Sequence, residues 1–497
     1  MSDDIIKFEN VNFVYPKCKK NALIDINLSI KKGEFLAVMG SNGSGKTTFC
    51  KLINGIIPHL CGGSLKGTVT VDGKRTDESS VPQLALKVGM VLDDPEAQIF
   101  TSTVRDEAAF GPENFLLPLQ EINERVKSAL CAVGLSGFES RAPATLSGGE
   151  KQRLSIAAAL AMKGDILVLD EPLCRLDPQG AQEVMSVLKD IRTQYQITII
   201  MTSHDSEKMA EFADRVCILN NGKIAALDTA EKIFANSALL EENGVRGLTR
   251  KDAEEDKRAL IFSAKIRGVP EVRNSRTDFA ISVNNFCYSY SNGIRIENIN
   301  VDIMENDFAA IIGGNGCGKT TLLKNITGLL RPCEGEIYIR GRNTKELSVS
   351  DISKEAGFVM QNPDAQLFCD SVFNEIAFAL KNMRLPKAEI KKRVQDAMET
   401  VGLDDAGVFP HILNRADRTK TIIACVIAMG CKILIFDEID VGNDYLGNLK
   451  IMNIAKDLHS KGFTIIFITH NMALVDKYAH RLIKMERNGI VSDWRRK

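Results

Sequence analysis

At 497 residues, the chain is long enough for two or more domains with sizeable apolar cores. Its 63 basic and 64 acidic residues leave a net charge of −1, so nothing in the charge favours nucleic acid as a partner. Twelve cysteines without a CxxC pair argue against zinc ribbons and iron–sulfur clusters, and no apolar run reaches the roughly 18 residues of a membrane span.

The first motif in chain order is the glycine-rich loop GSNGSGKTT at residues 40–48. It follows a strand-like run, Phe35–Met39, and leads into a helix-like run, 49–53, which is the context of a P-loop. Its glycines let backbone N–H groups close around phosphate oxygens at a helix N-terminus. Lys46 would reach the β- and γ-phosphates, and Thr47 would bind Mg²⁺. The predicted nucleotide-binding residues are Gly40, Asn42, Gly43, Gly45, Lys46, Thr47 and Thr48.

A second copy of this loop, GGNGCGKTT, occupies residues 313–321 and begins 273 positions after the first. It again stands between a strand-like run, Phe308–Ile312, and a helix-like run, 322–326. Two copies of the motif in the same strand–loop–helix context predict a phosphate-binding role for both loops. The corresponding residues are Gly313, Asn315, Gly316, Gly318, Lys319, Thr320 and Thr321.

An Asp-Glu pair ends an apolar run downstream of each loop, at Asp170-Glu171 and, 267 positions later, at Asp437-Glu438. In this position the aspartate is placed to bind Mg²⁺, usually through water, and the glutamate to polarise an attacking water. We therefore predict Asp170 and Asp437 as metal ligands, together with Thr47 and Thr320, and Glu171 and Glu438 as catalytic residues.

The constant offset indicates a tandem duplication, since His204 and His470 are also 266 positions apart. We predict a first domain at 1–245, a charged linker at 246–277 and a second domain at 278–497. The linker is either a flexible tether between the halves or, over part of its length, a surface helix. Each copy alternates strand-like and helix-like runs, which predicts an α/β fold with a mostly parallel, helix-covered sheet.

A helical segment lies between the P-loop and the Asp-Glu pair of the first copy. Ile122, Val126, Leu130 and Val133 follow at spacings of 4, 4 and 3, which places them on one face of an amphipathic helix. This favours a helical subdomain inserted into each sheet domain.

The sequence LSGGEKQR at 146–153 precedes the first Asp-Glu pair and opens a helix-like run at 154–161. A serine and two glycines at a helix start form a second anion-binding backbone site. With this motif the chain resembles the ATP-binding-cassette (ABC) family, with two P-loop nucleotide-binding domains on one chain. In that family the LSGGE-type sequence is called the signature. Two cassettes pair head to tail, and each ATP lies between the P-loop of one cassette and the signature of the other. The resemblance therefore implies that Ser147, Gly148 and Gly149 contact ATP.

The same resemblance assigns further residues by position. Tyr15 and Tyr290 match the aromatic residue that stacks on adenine, an interaction worth roughly 1–3 kcal/mol by analogy with other base–aromatic pairs. His204 and His470 match the switch histidine that contacts the γ-phosphate. Gln361 matches the glutamine that touches both Mg²⁺ and the attacking water, so we take it as a catalytic residue and a metal ligand.

Two departures from the family pattern distinguish the copies. Asp93 stands where the second copy has Gln361, and it would add a negative charge near the triphosphate. Arg415 and Ala416 replace both glycines of the second signature, and their Cβ atoms would hinder close approach of a phosphate. Because the first P-loop would face the second signature, both defects fall in one composite site. The resemblance thus implies one intact ATP site, built on Lys319, and one impaired site.

We call Asp93 and Gln361 the Q-loop positions. The residues that follow them resemble one class of ABC protein more than the others. Residues 94–100 (DPEAQIF) and 106–114 (DEAAFGPEN) resemble the ATPases of energy-coupling-factor (ECF) importers, and residues 362–368 and 374–378 do so more loosely. This implies a peripheral location at the cytoplasmic face of the cell membrane. The implied partners are a transmembrane coupling subunit and a small membrane protein that captures a vitamin or a metal ion.

The segments 96–100 and 364–368 would line the surface that meets the coupling subunit. Two alternatives remain open. A twin-cassette factor acting on the ribosome usually carries two intact signatures and a long basic helical linker, and this chain has neither. The ATPase of another ABC transporter class would differ mainly in its partner.

Overall fold

The computed structural model describes residues 4–18, 20–174, 176–248, 264–265, 279–290, 295–486 and 489–496. Apart from 246–248 and 264–265, the predicted linker at 246–277 lies outside the described residues. Contacts divide the chain into two compact units: Met1–Leu248 with Asp444–Leu446, and Thr249–Asn443 with Gly447–Lys497.

Two sheets form the first unit. Its described strands are β1 Asp4–Val14, β2 Leu23–Lys31, β3 Phe35–Met39, β4 Ser64–Val71, β5 Lys74–Arg75, β6 Val88–Val91, β7 Ile166–Leu169, β8 Thr198–Thr202, β9 Arg215–Asn220 and β10 Lys223–Thr229. The larger sheet has the order β10-β9-β3-β8-β7-β6, and all its pairings are parallel except β10 with β9. The smaller sheet, β2-β1-β4-β5, is antiparallel.

The helices of the first unit pack on both sheets. They are α1 Lys46–Ile53, α2 Ile56–His59, α3 Val81–Ala85, α4 Pro95–Gln98, α5 Val104–Asn114, α6 Leu119–Ala132, α7 Gly148–Ala161, α8 Pro178–Tyr195, α9 Ser206–Phe212, α10 Ala230–Phe234 and α11 Ser237–Glu242. Helices α5 and α6 pack on α7, and the predicted face of α6, from Ile122 to Val133, is buried in their shared core. The helical subdomain is confirmed.

The second unit repeats this plan. Its described strands are β11 Ala264–Lys265, β12 Phe279–Ser289, β13 Arg295–Met304, β14 Phe308–Ile312, β15 Glu334–Ile339, β16 Arg342–Asn343, β17 Ala356–Val359, β18 Ile433–Phe436, β19 Thr464–Ile468, β20 Arg481–Glu486 and β21 Gly489–Arg495. The larger sheet is ordered β11-β21-β20-β14-β19-β18-β17, and the smaller one β13-β12-β15-β16.

The described part of the second unit has seven α-helices. They are α12 Lys319–Ile326, α13 Val349–Glu355, α14 Val372–Asn382, α15 Lys387–Val401, α16 Arg415–Met429, α17 Tyr445–Ser460 and α18 Met472–Tyr478. Across the described ranges of the chain, none of the helices has both the length and the apolar character of a bilayer-crossing segment.

The parallel strands explain why their sequences are continuously apolar. In β3, β7, β8, β18 and β19 every residue is buried, because helices cover one face of the larger sheet, and the smaller sheet with the P-loop helix covers the other. The carboxyl ends of these strands carry the P-loops, the Asp-Glu pairs and the switch histidines. The predicted α/β class with a mostly parallel sheet in each half is confirmed.

Candidate active sites

Each P-loop folds around its own lysine. In the first unit Lys46 Nζ donates to the carbonyl oxygens of Gly40 at 3.0 Å and Ser41 at 3.2 Å. Gly45, with φ +108°, caps α1 in the left-handed region. At Gly40 a Cβ atom would lie 2.1 Å from the carbonyl oxygen of Leu219 in β9, so only glycine fits there.

The second P-loop has the same construction. Lys319 Nζ donates to Gly313 O at 2.8 Å and to Gly314 O at 3.1 Å, and Gly318 caps α12 with φ +102°. Asn315 and Gly316 form the exposed tip of this loop. The structure thus places all the glycine, lysine and asparagine residues predicted from the two motifs in two equivalent strand–loop–helix corners.

Two of the predicted metal ligands, Thr320 and Asp437, are in contact in the second unit, whereas the third, Gln361, bonds to Glu438. Thr320 Oγ1 donates to Asp437 Oδ1 at 2.9 Å, and burial raises the pKa of Asp437 to about 6. A buried carboxylate beside a hydroxyl is the set of hard oxygen donors that suits Mg²⁺, so these residues fit the ion. In the described part of the first unit, Thr47 is exposed and makes no hydrogen bond with Asp170.

Asp170 instead accepts a hydrogen bond from Thr202 Oγ1 at 2.7 Å, and the same hydroxyl receives the backbone N–H of Glu171 at 2.8 Å. This threonine ties the Asp-Glu pair to β8, and the corresponding residue of the second unit, Ile468, has no hydroxyl. We did not predict a role for Thr202, although the Thr–Ile difference before the two histidine motifs is visible in the sequence.

The two glutamates predicted to be catalytic, Glu171 and Glu438, lie between the P-loop lysine and the predicted switch histidine of their own unit. Glu171 Oε1 lies 3.0 Å from His204 Nε2 and 3.6 Å from Lys46 Nζ. Asn42 Oδ1 also lies 3.2 Å from His204 Nε2. Burial together with the charge of Lys46 lowers the pKa of His204 to about 3, so this ring is neutral at pH 7.

In the second unit Glu438 has one more partner. Its Oε1 lies 3.5 Å from His470 Nε2 and 3.7 Å from Lys319 Nζ, while its Oε2 accepts a hydrogen bond from Gln361 Nε2 at 3.1 Å. The structure therefore brings together the predicted set of Lys319, Gln361, Glu438 and His470.

The pKa values of the two glutamates shift in opposite directions. Burial raises the pKa of Glu438, but hydrogen bonding to His470 and the charge of Lys319 outweigh it, so the pKa is lowered. Burial also raises the pKa of Glu171, and the negative charge of Asp93 adds to that effect. The raised pKa of Glu171 persists although Lys46 opposes it. The substitution at the first Q-loop position thus acts on the glutamate itself.

The tyrosines expected to stack on adenine are anchored to the P-loop helices by their hydroxyl groups. Tyr15 Oη lies 3.0 Å from Thr48 Oγ1, and Tyr290 Oη lies 2.7 Å from Thr321 Oγ1. Both threonines are buried. In the described structure Thr48 and Thr321 therefore contact the aromatic side chain of their own unit.

The two signatures begin their helices in the same way but differ in their side chains. Ser147 caps α7 and accepts the N–H of Glu150, and Asn414 caps α16 and accepts the N–H of Asp417 at 3.0 Å. Within the described part of the first unit, Ser147, Gly148 and Gly149 make no hydrogen bond with the P-loop of that unit. A Cβ at either glycine would make only ordinary contact, at 3.7 Å.

Comparisons with known proteins identify the family. The sequence model described as ABC transporter matches residues 23–174 and 296–440. A provisionally named ABC transporter ATP-binding protein of Caldanaerobacter subterraneus subsp. tengcongensis is 36% identical, over 99% of this chain and 92% of that protein. One from Methanosarcina acetivorans is 35% identical, over 98% of this chain and 85% of its own length.

Two solved structures are similar to parts of the chain. One is cbiO1 from Clostridium perfringens, described as part of the ABC transporter complex cbiONQ, with 34% identity and a TM-score of 0.44. It covers 48% of this chain and 94% of its own. The other is the ATP-binding cassette MJ0796, a dimer in a post-hydrolysis state with ADP and Pi, with 28% identity and a TM-score of 0.40. It covers 45% of this chain and 98% of its own.

Proposed function

Since the chain belongs to the ABC transporter family and is an ATP hydrolase, we propose that it is the ATPase of an importer of the ECF type. ATP binding and hydrolysis drive the uptake of a vitamin or a metal ion, which a separate small membrane protein captures. A transmembrane coupling subunit joins that protein to this chain at the cytoplasmic face of the membrane. The ECF-like motifs at 94–100 and 106–114 support this choice among ABC transporter classes.

The observation that carries the proposal is an exposed pair of phenylalanines in each unit. Phe100 and Phe110 are 66% and 44% exposed, and their ring centroids lie 4.7 Å apart in an edge-to-face arrangement. Phe368 and Phe378 are 65% and 44% exposed, at 4.8 Å. Exposed aromatic pairs that recur beside both Q-loop positions are a surface for an apolar partner, and we assign the coupling subunit to it.

A buried glutamate holds each of these segments in place. Glu107 Oε2 accepts hydrogen bonds from the backbone of Phe100 and Thr101 at 3.2 and 3.0 Å, and from the hydroxyl of Thr101 at 2.9 Å. Glu375 Oε2 accepts from the backbone of Phe368 and Cys369 at 2.9 and 2.7 Å. The ECF-like motifs therefore supply both the exposed rings and the carboxylate that fixes the chain beneath them.

We assign ATP to two composite sites, each made of the P-loop of one unit and the signature of the other. The signature glycines Gly148 and Gly149 support this, because packing within their own unit does not require them. Their bare backbone suits close approach by a phosphate from outside the unit. The site that pairs this signature with Lys319 is the hydrolysing one, and the site with Arg415 and Asp93 is impaired.

In the hydrolysing site the residues divide the work. The P-loop N–H groups and Lys319 bind the phosphates, and Tyr290 stacks on adenine. Thr320, Asp437 and Gln361 would hold Mg²⁺, which would supply positive charge to neutralise the phosphates. Glu438 Oε2 accepts the proton of the attacking water, and Gln361 orients that carboxylate through its amide. His470 lies on the other carboxylate oxygen and binds the γ-phosphate.

Affinity purification of the full-length chain from detergent-solubilised membranes of its native cells tests the proposal. We expect a polytopic membrane protein and at least one small membrane protein to co-purify. Co-sedimentation with ribosomes, with no recovery from membranes, would favour the translation-factor alternative. Recovery of membrane subunits without a separate capture protein would keep the transporter and overturn the ECF assignment.

A further inference from the structure

Arg415 stands where the intact signature has Gly148, and it makes contacts that a glycine cannot make. It is the first residue of α16, after the cap Asn414. Its guanidinium Nη2 donates to the backbone oxygen of Gln361 at 2.8 Å. The arginine therefore joins the degenerate signature to the Q-loop position of its own unit.

The same guanidinium packs on the loop that follows the catalytic glutamate. A Cβ atom added at Gly442 would lie 3.1 Å from Arg415 Cζ and 3.2 Å from its Nε, and Gly442 has φ +73°. This glycine lies four residues after Glu438. Arg415 thus touches both chain segments that flank the glutamate.

Gln361 links Arg415 to the carboxylate of Glu438 by two hydrogen bonds. Its backbone oxygen is held by Arg415, and its side-chain Nε2 donates to Glu438 Oε2 at 3.1 Å. An amide can orient a carboxylate only while its own backbone is fixed, and the bond to Arg415 is charge-assisted. Arg415 is therefore linked through Gln361 to Glu438 Oε2, the oxygen that we propose accepts the proton of the attacking water.

The first unit has neither the arginine nor the glutamine of this arrangement. Gly148 has no side chain, and Asp93 offers a carboxylate in place of an amide donor. The backbone oxygen of Asp93 instead lies 3.8 Å from Cys174 Sγ, a weak donor. Arginine at the signature and glutamine at the Q-loop position thus occur together in one unit and are both missing from the other.

We infer that Arg415 is a positioning residue for ATP hydrolysis, which holds Gln361 so that its amide stays on Glu438. The inference rests on the proposed role of Glu438 as the general base. The second signature, although it lacks the two glycines that suit a phosphate, then has a role in its own unit, because its arginine fixes the backbone of Gln361. Arg415→Ala removes this contact without recreating the two-glycine signature, because Ala416 remains.

A double-mutant cycle in the full-length protein tests the inference. Steady-state ATPase rates are measured for Arg415→Ala, Gln361→Ala and the double variant. We expect Arg415→Ala to lower kcat about ten- to a hundredfold, as a small misplacement does, with KM for ATP changed less than about twofold. The double variant should be no slower than Gln361→Ala, and Arg415→Lys should recover part of the rate.

Controls separate the inference from its premise. Lys420→Ala removes an ion pair with Asp417 at 2.9 Å on the same helix and should leave kcat unchanged. If Glu438→Gln retains full activity, the proposed function of the site is wrong. If Glu438→Gln is inactive while Arg415→Ala has normal kcat, the inference alone is overturned. Losses that multiply in the double variant would also overturn it.

Discussion

At the scale of single residues, the clearest difference between the two sites is the state of the glutamate. Glu438 has a lowered pKa and three partners, one of them the amide of Gln361. Glu171 has a raised pKa, to which Asp93 contributes. Two side chains of the same type at equivalent positions thus have pKa values shifted in opposite directions, and only Glu438 is oriented by an amide.

This difference predicts an asymmetry in turnover. Removal of a working general base costs about 10²–10⁴ in rate, or roughly 3–5 kcal/mol of barrier. Glu438→Gln should therefore abolish most ATP hydrolysis, and Glu171→Gln should lose far less. Steady-state ATPase rates in the assembled complex decide between them. Equal losses would mean that both sites hydrolyse ATP or that they are tightly coupled.

Asp440 provides a test of electrostatics at the same scale. Burial raises the pKa of this carboxyl to about 6, and its Oδ2 accepts the hydroxyl of Thr469 at 2.7 Å. Because the folded protein holds this proton up to about pH 6 and the unfolded chain releases it near pH 4, the free energy of unfolding decreases as the pH rises from about 4 to about 6. Above that window the full cost of a buried charge remains.

Asp440→Asn should therefore stabilise the protein more at pH 7.5 than at pH 5, because asparagine stays neutral and can still accept the Thr469 hydrogen bond. The measurement is the difference in thermal unfolding midpoint between the variant and the parent protein at the two pH values. An equal difference at both would show that the carboxyl does not carry a shifted pKa.

The residue identities of the candidate sites follow from the sequence, but their partners do not. The motifs fix which side chains stand at the ends of the strands, since a P-loop needs glycine, lysine and threonine at set positions. The bond from Thr202 to Asp170 and that from Arg415 to Gln361 join residues 32 and 54 positions apart. The first contact depends on the pairing of β7 with β8, and the second depends on how α16 packs against the Q-loop position. No local pattern in the sequence shows either.

At the scale of elements, buried strands are predicted best. The strand-like runs predicted before the two P-loops, Phe35–Met39 and Phe308–Ile312, are strands with the same bounds. The P-loop helices begin three residues earlier than their apolar runs, at Lys46 and Lys319, because their first turn is polar. A helix whose first turn binds phosphate does not show the apolar period there.

The small antiparallel sheets were not predicted, and their irregularity explains why. In β1 the pairing with β2 shifts register between Phe8 and Val11 and again between Val11 and Phe13. Each bulge moves the apolar side chains to the other face, so the alternation typical of a half-buried strand is interrupted. β12 shows the same shifts in the second unit.

The paired phenylalanines lead to a prediction for the helical subdomains. Charge reversal at Glu96 or Asp364 would disturb more than a docking surface, since Glu96 pairs with Lys151 and Asp364 with Arg418 within their own units. The exposed rings avoid this complication. The double substitution Phe100→Ala and Phe368→Ala should weaken association with the membrane subunits and leave ATP binding unchanged.

Leu119→Ala is the matched control for this test, because Leu119 is also 66% exposed and lies at the start of α6 in the same subdomain. Co-purification of membrane subunits and ATP affinity are measured on each variant. Normal recovery of the membrane subunits with the double variant would show that the partner binds elsewhere.

At the scale of the whole molecule, the two units share one architecture, but each has kept a different part of the residues expected in an ATP-hydrolysing site. Both units keep the P-loop lysine, the Asp-Glu pair and the switch histidine in equivalent places. The first unit keeps the intact signature, and the second keeps the glutamine and the Thr320–Asp437 contact. Under the proposed head-to-tail pairing, these retained parts all belong to one composite site.

This division predicts that the two bound nucleotides have different fates. Both P-loops hold their lysine in the same cradle, so both sites should bind ATP, but only the site with Glu438 should convert it to ADP. Rapid isolation of the assembled complex after incubation with radiolabelled ATP and Mg²⁺ should therefore recover about one ADP and one ATP per chain. In Glu438→Gln both nucleotides should remain ATP. Two ADP per chain in the parent protein would mean that Asp93 and Arg415 do not impair the first P-loop, and the assignment of a silent site would have to be abandoned.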